Sequence, residues 1–149
     1  MLDIELLHQN VQKINNGERI GYRCGATTTY QHLLMGEVWL GSRDNQYVFI
    51  GLNRNHVNMV CLKFLAMLNE DQQGSEYPKK DIRVMHANGW YHVIVDSQFF
   101  TFVDYIKARE PNFWAGKDIA RIFIDLNDRR DDIRPEILAA AIAHGADIL

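Results

Sequence analysis

The chain has 149 residues, 47% of them hydrophobic and 23% charged, with a formal net charge of −3. That length buries a core in a single domain, residues 1–149, without metal or disulfide staples, and the acidic balance argues against general nucleic-acid or membrane-surface binding. The two cysteines, Cys24 and Cys61, show no zinc-site spacing, and no apolar run approaches a membrane span. Residues 1–10 do not read as a secretory signal, so the expected setting is reducing and cytoplasmic.

The first predicted element is an amphipathic helix, with Ile4, Leu7, Val11 and Ile14 at helical spacing and Asn15-Asn16-Gly17 at its end. Residues 20–24 alternate like a short strand, which Gly25 breaks. Thr27 to Thr29 can cap a short helix through Leu34, stopped by Gly36. Residues 37–40 and 47–50 flank a turn at 42–45 and read as a β-hairpin. Asn53 or Asn55 caps the next helix, 55–69, whose Met59, Leu62 and Leu65 are expected to face a core.

The polar run 69–80 holds Gly74 and Pro78 and reads as a surface loop. Three strand-like runs follow at 82–85, 90–95 and 99–103, and Asn88-Gly89 is the strongest hairpin signal in the chain. Residues 119–126 fit a strand or a short helix. Pro135 starts a last helix, and His144-Gly145 ends it. The expected class is α+β: an antiparallel sheet, partly built by residues 81–104, packed against the helix 55–69 and flanked by N- and C-terminal helices.

One constellation in this pattern carries chemistry. Cys61 lies on the central helix, His92 on a strand after it, and Asp104 at the end of the next strand. A thiolate nucleophile, an imidazole that takes its proton and a carboxylate that orients the imidazole form a thiol-catalysis set. Strand parity decides whether the last two meet. An odd loop near Asp96 puts His92 and Asp104 on one face, whereas a two-residue loop such as Ser97-Gln98 puts them on opposite faces.

The order of helix with Cys, strand with His and strand ending in Asp, over residues 55–105, resembles papain-like and transglutaminase-like cysteine enzymes. The resemblance implies a protease, deamidase or transglutaminase-like acyltransferase, with Cys61, His92 and Asp104 catalytic and Asn58 as oxyanion donor. Two departures stand beside it. Cys61 falls inside its helix rather than at the start, and no Gln precedes it at the usual oxyanion place.

Two other readings stay open. Gly21-Tyr22-Arg23-Cys24-Gly25 resembles the front of ADP-ribosyltransferase-like domains, which implies that Arg23 holds NAD and Glu110 acts as the catalytic glutamate. Alternatively, the chain is a non-catalytic protein-binding or inhibitor/immunity-type module, anchored by Trp39, Tyr47, Trp90, Phe113 and Trp114. In each of the protein-directed readings the partner or substrate is a protein or peptide. The six histidines lack metal-ligand spacing, and no Gly-rich phosphate loop of the usual type appears. Neither a metal nor a resident cofactor is expected for the thiol chemistry.

Overall fold

The structure, a computed structural model, describes residues 4–16, 18, 25–41, 44–73, 79–87, 89–126 and 135–149. Helix α1 spans Ile4–Asn15 and buries Asn10 and Ile14, one turn apart. Helix α2 spans Ala26–Leu40 and follows Gly25, whose φ of 83° is left-handed. Tyr30, Leu34 and Val38 are buried at i, i+4 and i+8, so one apolar stripe runs through Gly36 to the end of the helix. Residues 37–40 are therefore helical, not a strand. The helix ends at Gly41, whose N–H donates to the Glu37 carbonyl. A Cβ there would collide with the Tyr47 hydroxyl and the Glu37 carbonyl, so only glycine fits.

Strand β1, Gln46–Gly51, is buried from Tyr47 onward. Helix α3, Arg54–Gln73, starts where the Asn53 side chain accepts from the His56 N–H at 2.9 Å. It runs further than expected and takes in residues 69–73 of the polar run. Its buried side chains are Val57, Val60, Cys61, Phe64 and Leu68. The expected inward residues Met59 and Leu62 are exposed instead.

Strands β2, Ile82–Ala87, β3, Trp90–Val95, and β4, Gln98–Asp104, follow. A 3-10 turn at Lys107–Arg109 and helix α4, Pro111–Trp114, lead to β5, Ile119–Asp125. Helix α5, Pro135–His144, and the short β6, Asp147–Ile148, complete the described chain.

The fold is mixed α/β, with five helices and a six-stranded sheet among the described residues, in the order β2-β3-β4-β1-β5-β6. Antiparallel pairing is confined to β2, β3 and β4. Strand β1 runs parallel to both β4 and β5, and β5 parallel to β6. The expected hairpin of 37–40 with 47–50 does not exist, because β1 finds its partners across long crossovers.

Alternation along the strands splits the core into two layers. On one face, Tyr47, Phe49, Val93, Val95, Phe100, Phe102 and Phe123 pack with α1, α2 and α3. On the other, Val48, Ile50, Val103, Ile122 and Ile124 pack with Phe113, Trp114, Ile137 and Ala141. Phe64 of α3 lies 5.0 Å from the Phe100 ring and 5.5 Å from Phe102. Burying a side chain of this size contributes about 1.5–3 kcal/mol.

Candidate functional site

In a sheet with parallel strands, the strand C-termini open onto the helix N-termini that follow them, and ligands collect at that edge. Here β1 ends at Gly51 and β5 at Asp125, in register with each other. Asp125 is 1% exposed, at the end of the apolar run Ile122-Phe123-Ile124. The Thr27 hydroxyl, in the first turn of α2, donates to Asp125 Oδ2 at 2.8 Å. His56 Nε2, in the first turn of α3, lies 3.1 Å from the same oxygen and 3.3 Å from Thr27 Oγ1.

The protons in this cluster follow from its partners. The Leu52 N–H donates to His56 Nδ1 at 3.0 Å, so Nδ1 is an acceptor and Nε2 carries the proton. Nε2–H then faces the carboxylate. Gly51 makes room for the ring, because a Cβ there would sit 2.6 Å from Val57 Cγ2 and 3.0 Å from His56 Nδ1. The result is a hydroxyl, a buried carboxylate and an imidazole meeting at one corner, beside a helix N-terminus preceded by a left-handed glycine. Unpaired N–H groups at such a terminus favour anions, and the hydroxyl and carboxylate suit a hard divalent cation.

The sequence-derived thiol set does not assemble. Val95 pairs with Gln98, so the β3–β4 loop holds two residues, Asp96 and Ser97, and His92 pairs with Thr101. Asp104 has the opposite parity and lies on the other face of the sheet from His92. The indole N–H of Trp90 donates to His92 Nε2 at 3.1 Å, leaving Nδ1 to donate to Thr101 Oγ1 at 2.9 Å. Burial and the charge of Lys117 hold this imidazole below its ordinary pKa. Asp104 instead accepts from the Lys107 N–H at 2.9 Å and stabilises the 3-10 turn.

Cys61 lies in the core layer of Val93, Val95, Phe100 and Phe102, across the sheet from His92. Burial pushes its thiol up to about 11, so at neutral pH it is an un-ionised packing group. It borders a groove of about 170 Å³ with Asn58, Leu62, Leu65, Val84 and Tyr91, and no imidazole among the described residues lines it. The Asn58 side-chain oxygen is buried there without a hydrogen-bond partner among the described residues, and the Asn58 amide has no nucleophilic centre beside it whose oxyanion it could donate to.

For the NAD reading, Arg23 lies outside the described residues, as does the whole strand expected at 20–24. Glu110 is the N-cap residue just before α4 and pairs with Lys107 at 3.5 Å. Of the proposed aromatic anchors only Trp39 is exposed, because Tyr47, Trp90, Phe113 and Trp114 are core residues.

Sequence reasoning missed Thr27, His56 and Asp125. Two signals were available: a Gly-x-Thr step where a strand-like segment gives way to a helix, and an apolar strand ending in aspartate.

No protein-family model and no curated protein matches the sequence. Solved structures do resemble the fold. The large terminase of a thermophilic bacteriophage in complex with ADP matches at TM-score 0.55 and 15% identity, over 86% of this chain and 30% of that one. The ATPase domain of a Thermus phage large terminase matches at TM-score 0.59 and 9% identity, over 88% of this chain and 56% of that one. A second crystal form of the former enzyme matches at TM-score 0.53 and 10% identity, over 97% of this chain and 37% of that chain. At these identities the likeness is one of fold, and this chain spans from 30% to 56% of the matched chains. The neighbours overturn the expected papain-like, transglutaminase-like cysteine hydrolase.

Proposed function

We propose that this chain is a nucleotide-binding domain of the ATPase type, taking a magnesium-bound nucleoside di- or triphosphate at the N-terminus of α2. The observation that carries the reading is the 2.8 Å hydrogen bond between Thr27 and Asp125, which joins the first turn of that helix to the end of β5. In P-loop nucleotide sites a Ser or Thr at the start of the helix and an Asp at the end of a strand hold the magnesium ion, and backbone N–H groups cradle the phosphates. The likeness to a terminase solved with ADP and to a terminase ATPase domain supports the same reading.

The donor set fits the cation. Thr27 supplies a neutral oxygen, Asp125 supplies a buried charge, and Gly25 allows the left-handed turn ahead of the helix. When bound, the ion neutralises phosphate charge. The chain's own contribution is to hold Asp125 in place and to present the first-turn N–H groups of α2.

One departure shapes the expected activity. The P-loop pattern G-x-x-x-x-G-K-[ST] has Lys after its second Gly, whereas this chain has Ala26 there and Ile20 at the place of the first Gly. Ala26 is buried in the core layer. With no lysine at that place to reach the β- and γ-phosphates, the domain should bind ATP and ADP with similar affinity and hydrolyse ATP slowly on its own. Calorimetric titration of the full chain with magnesium-ADP and magnesium-ATP tests this. Binding of both, weakened about 10- to 100-fold in Thr27→Val, supports the proposal. No binding of either nucleotide, or unchanged affinity in a folded Thr27→Val variant, overturns it.

A further inference from the structure

We infer that His56 is a positioning residue that presets the Thr27–Asp125 corner for the divalent cation. The inference rests on the nucleotide-site reading above and deepens it. One imidazole ties together the ends of three elements. Its Nδ1 accepts from the Leu52 N–H just beyond β1 at 3.0 Å. Its Nε2–H reaches Asp125 Oδ2 at the end of β5 at 3.1 Å, and Thr27 Oγ1 in α2 at 3.3 Å.

Nothing about the ring's placement is left loose. The Asn53 carboxamide fixes the His56 backbone N–H at 2.9 Å, and the Phe49 ring meets the imidazole edge-on at 6.0 Å. The missing Cβ of Gly51 leaves the space in which Nδ1 sits. The side chain is 11% exposed, so water competes weakly for its hydrogen bonds. An imidazole held at one nitrogen by a backbone N–H can only donate from the other, and that donor is aimed at the carboxylate. This is the arrangement by which an outer group orients a ligating carboxylate.

The two halves of the ring can be tested apart. A glutamine at 56 can still donate from the position of Nε2 to Asp125. An asparagine can still accept at the position of Nδ1 from Leu52, but it is too short to reach Asp125. Mn²⁺ affinity of the full chain is read by electron paramagnetic resonance, with the metal alone and with ADP. The wild type is expected to bind, His56→Ala and His56→Asn to bind about 10- to 100-fold more weakly, and His56→Gln to stay within a few-fold of wild type.

Wild-type binding with unchanged affinity in folded His56→Ala and His56→Asn overturns the role of His56 and leaves the Thr27–Asp125 reading standing. Retention in Asn with loss in Gln also overturns it, because the ring then serves only to cap the end of β1. Absence of Mn²⁺ binding in the wild type, with and without ADP, removes both. Should the variants fail to fold, ¹⁵N NMR of the wild-type chain decides through the tautomer. A proton on Nε2 of His56 supports the inference, and a proton on Nδ1 overturns it.

Discussion

The antiparallel and parallel halves of the sheet hold the same kinds of polar residue. In the antiparallel half, His92 meets Thr101 across β3 and β4, at 2.9 Å, in the middle of the strands. In the parallel half, His56 meets Thr27 and Asp125 at the ends of strands and the starts of helices. The first group is closed on itself, with Trp90 occupying the remaining imidazole nitrogen. The second group sits where helix N-termini and strand C-termini converge, an edge that ligands can approach. Residue type alone does not make a site. What separates the two groups is which end of the sheet they occupy and which partners already fill their hydrogen bonds.

The largest effect that would sharpen this contrast is expected at Asp125. Asp125→Asn keeps the shape of the corner but removes its charge, and should weaken magnesium-nucleotide binding about 100-fold, the upper end of effects on metal sites. Calorimetry reads it, and a loss no greater than that of Asp104→Asn breaks the contrast.

Gly51→Ala comes next and strikes both fold and site. The added methyl meets Val57 Cγ2 at 2.6 Å and His56 Nδ1 at 3.0 Å. Overpacking of this kind costs about 1–3 kcal/mol, which urea unfolding measures. Nucleotide affinity should fall with it, since His56 is displaced. A fully stable Gly51→Ala variant means that the close approach of β1 and α3 is wrong.

Cys61 gives a smaller but sharper test. With its thiol pushed up to about 11 by burial, it should resist iodoacetamide in the folded chain at neutral pH and react only on unfolding. Cys61→Ala should leave nucleotide binding unchanged. Rapid labelling of Cys61 in a folded Cys24→Ser chain contradicts the packing role.

The smallest effect concerns His92, whose folded pKa is lowered by burial and by Lys117. Below the ordinary value of 6.5 the unfolded chain takes up a proton that the folded imidazole refuses. The unfolded state then binds more protons, so stability is lost as pH falls from 6.5 through the lowered folded value, and this group adds no further loss below that. Replacing His92 with Asn should flatten that part of the unfolding profile, as followed by circular dichroism. An unchanged slope assigns the acid sensitivity to other groups.

What was legible in the sequence was local. The helical spacing from Ile4 to Ile14, the existence of α3 and the strand runs of β2 to β4 could be read within a few turns of chain. The α+β class follows from these. The parallel pairing was not legible, because the partner of Gln46 is Phe99, far along the chain, while the turn near Asp44 imitates a hairpin.

The β3–β4 turn misled for a related reason. The sequence left an odd loop and a two-residue loop both open, with no glycine to mark a tight turn, yet Asp96 takes the left-handed conformation, with φ of 54°. Aspartate tolerates that region because its short side chain can bond locally. That one feature sets the register and separates His92 from Asp104. The Thr27 corner was hidden differently. It joins residues 29 and 98 positions apart, and Ala26 removes the lysine by which a phosphate loop is usually noticed.

Chemical-shift mapping of the full chain with magnesium-ADP compares the two regions in a single experiment. If the parallel edge is the site, the amide shifts concentrate at Gly25 to Thr28, Leu52 to His56 and Asp125 to Leu126, while Cys61, His92 and Asp104 stay still. Shifts centred on β3, β4 and the Cys61 groove, or no shifts at saturating nucleotide, contradict the account.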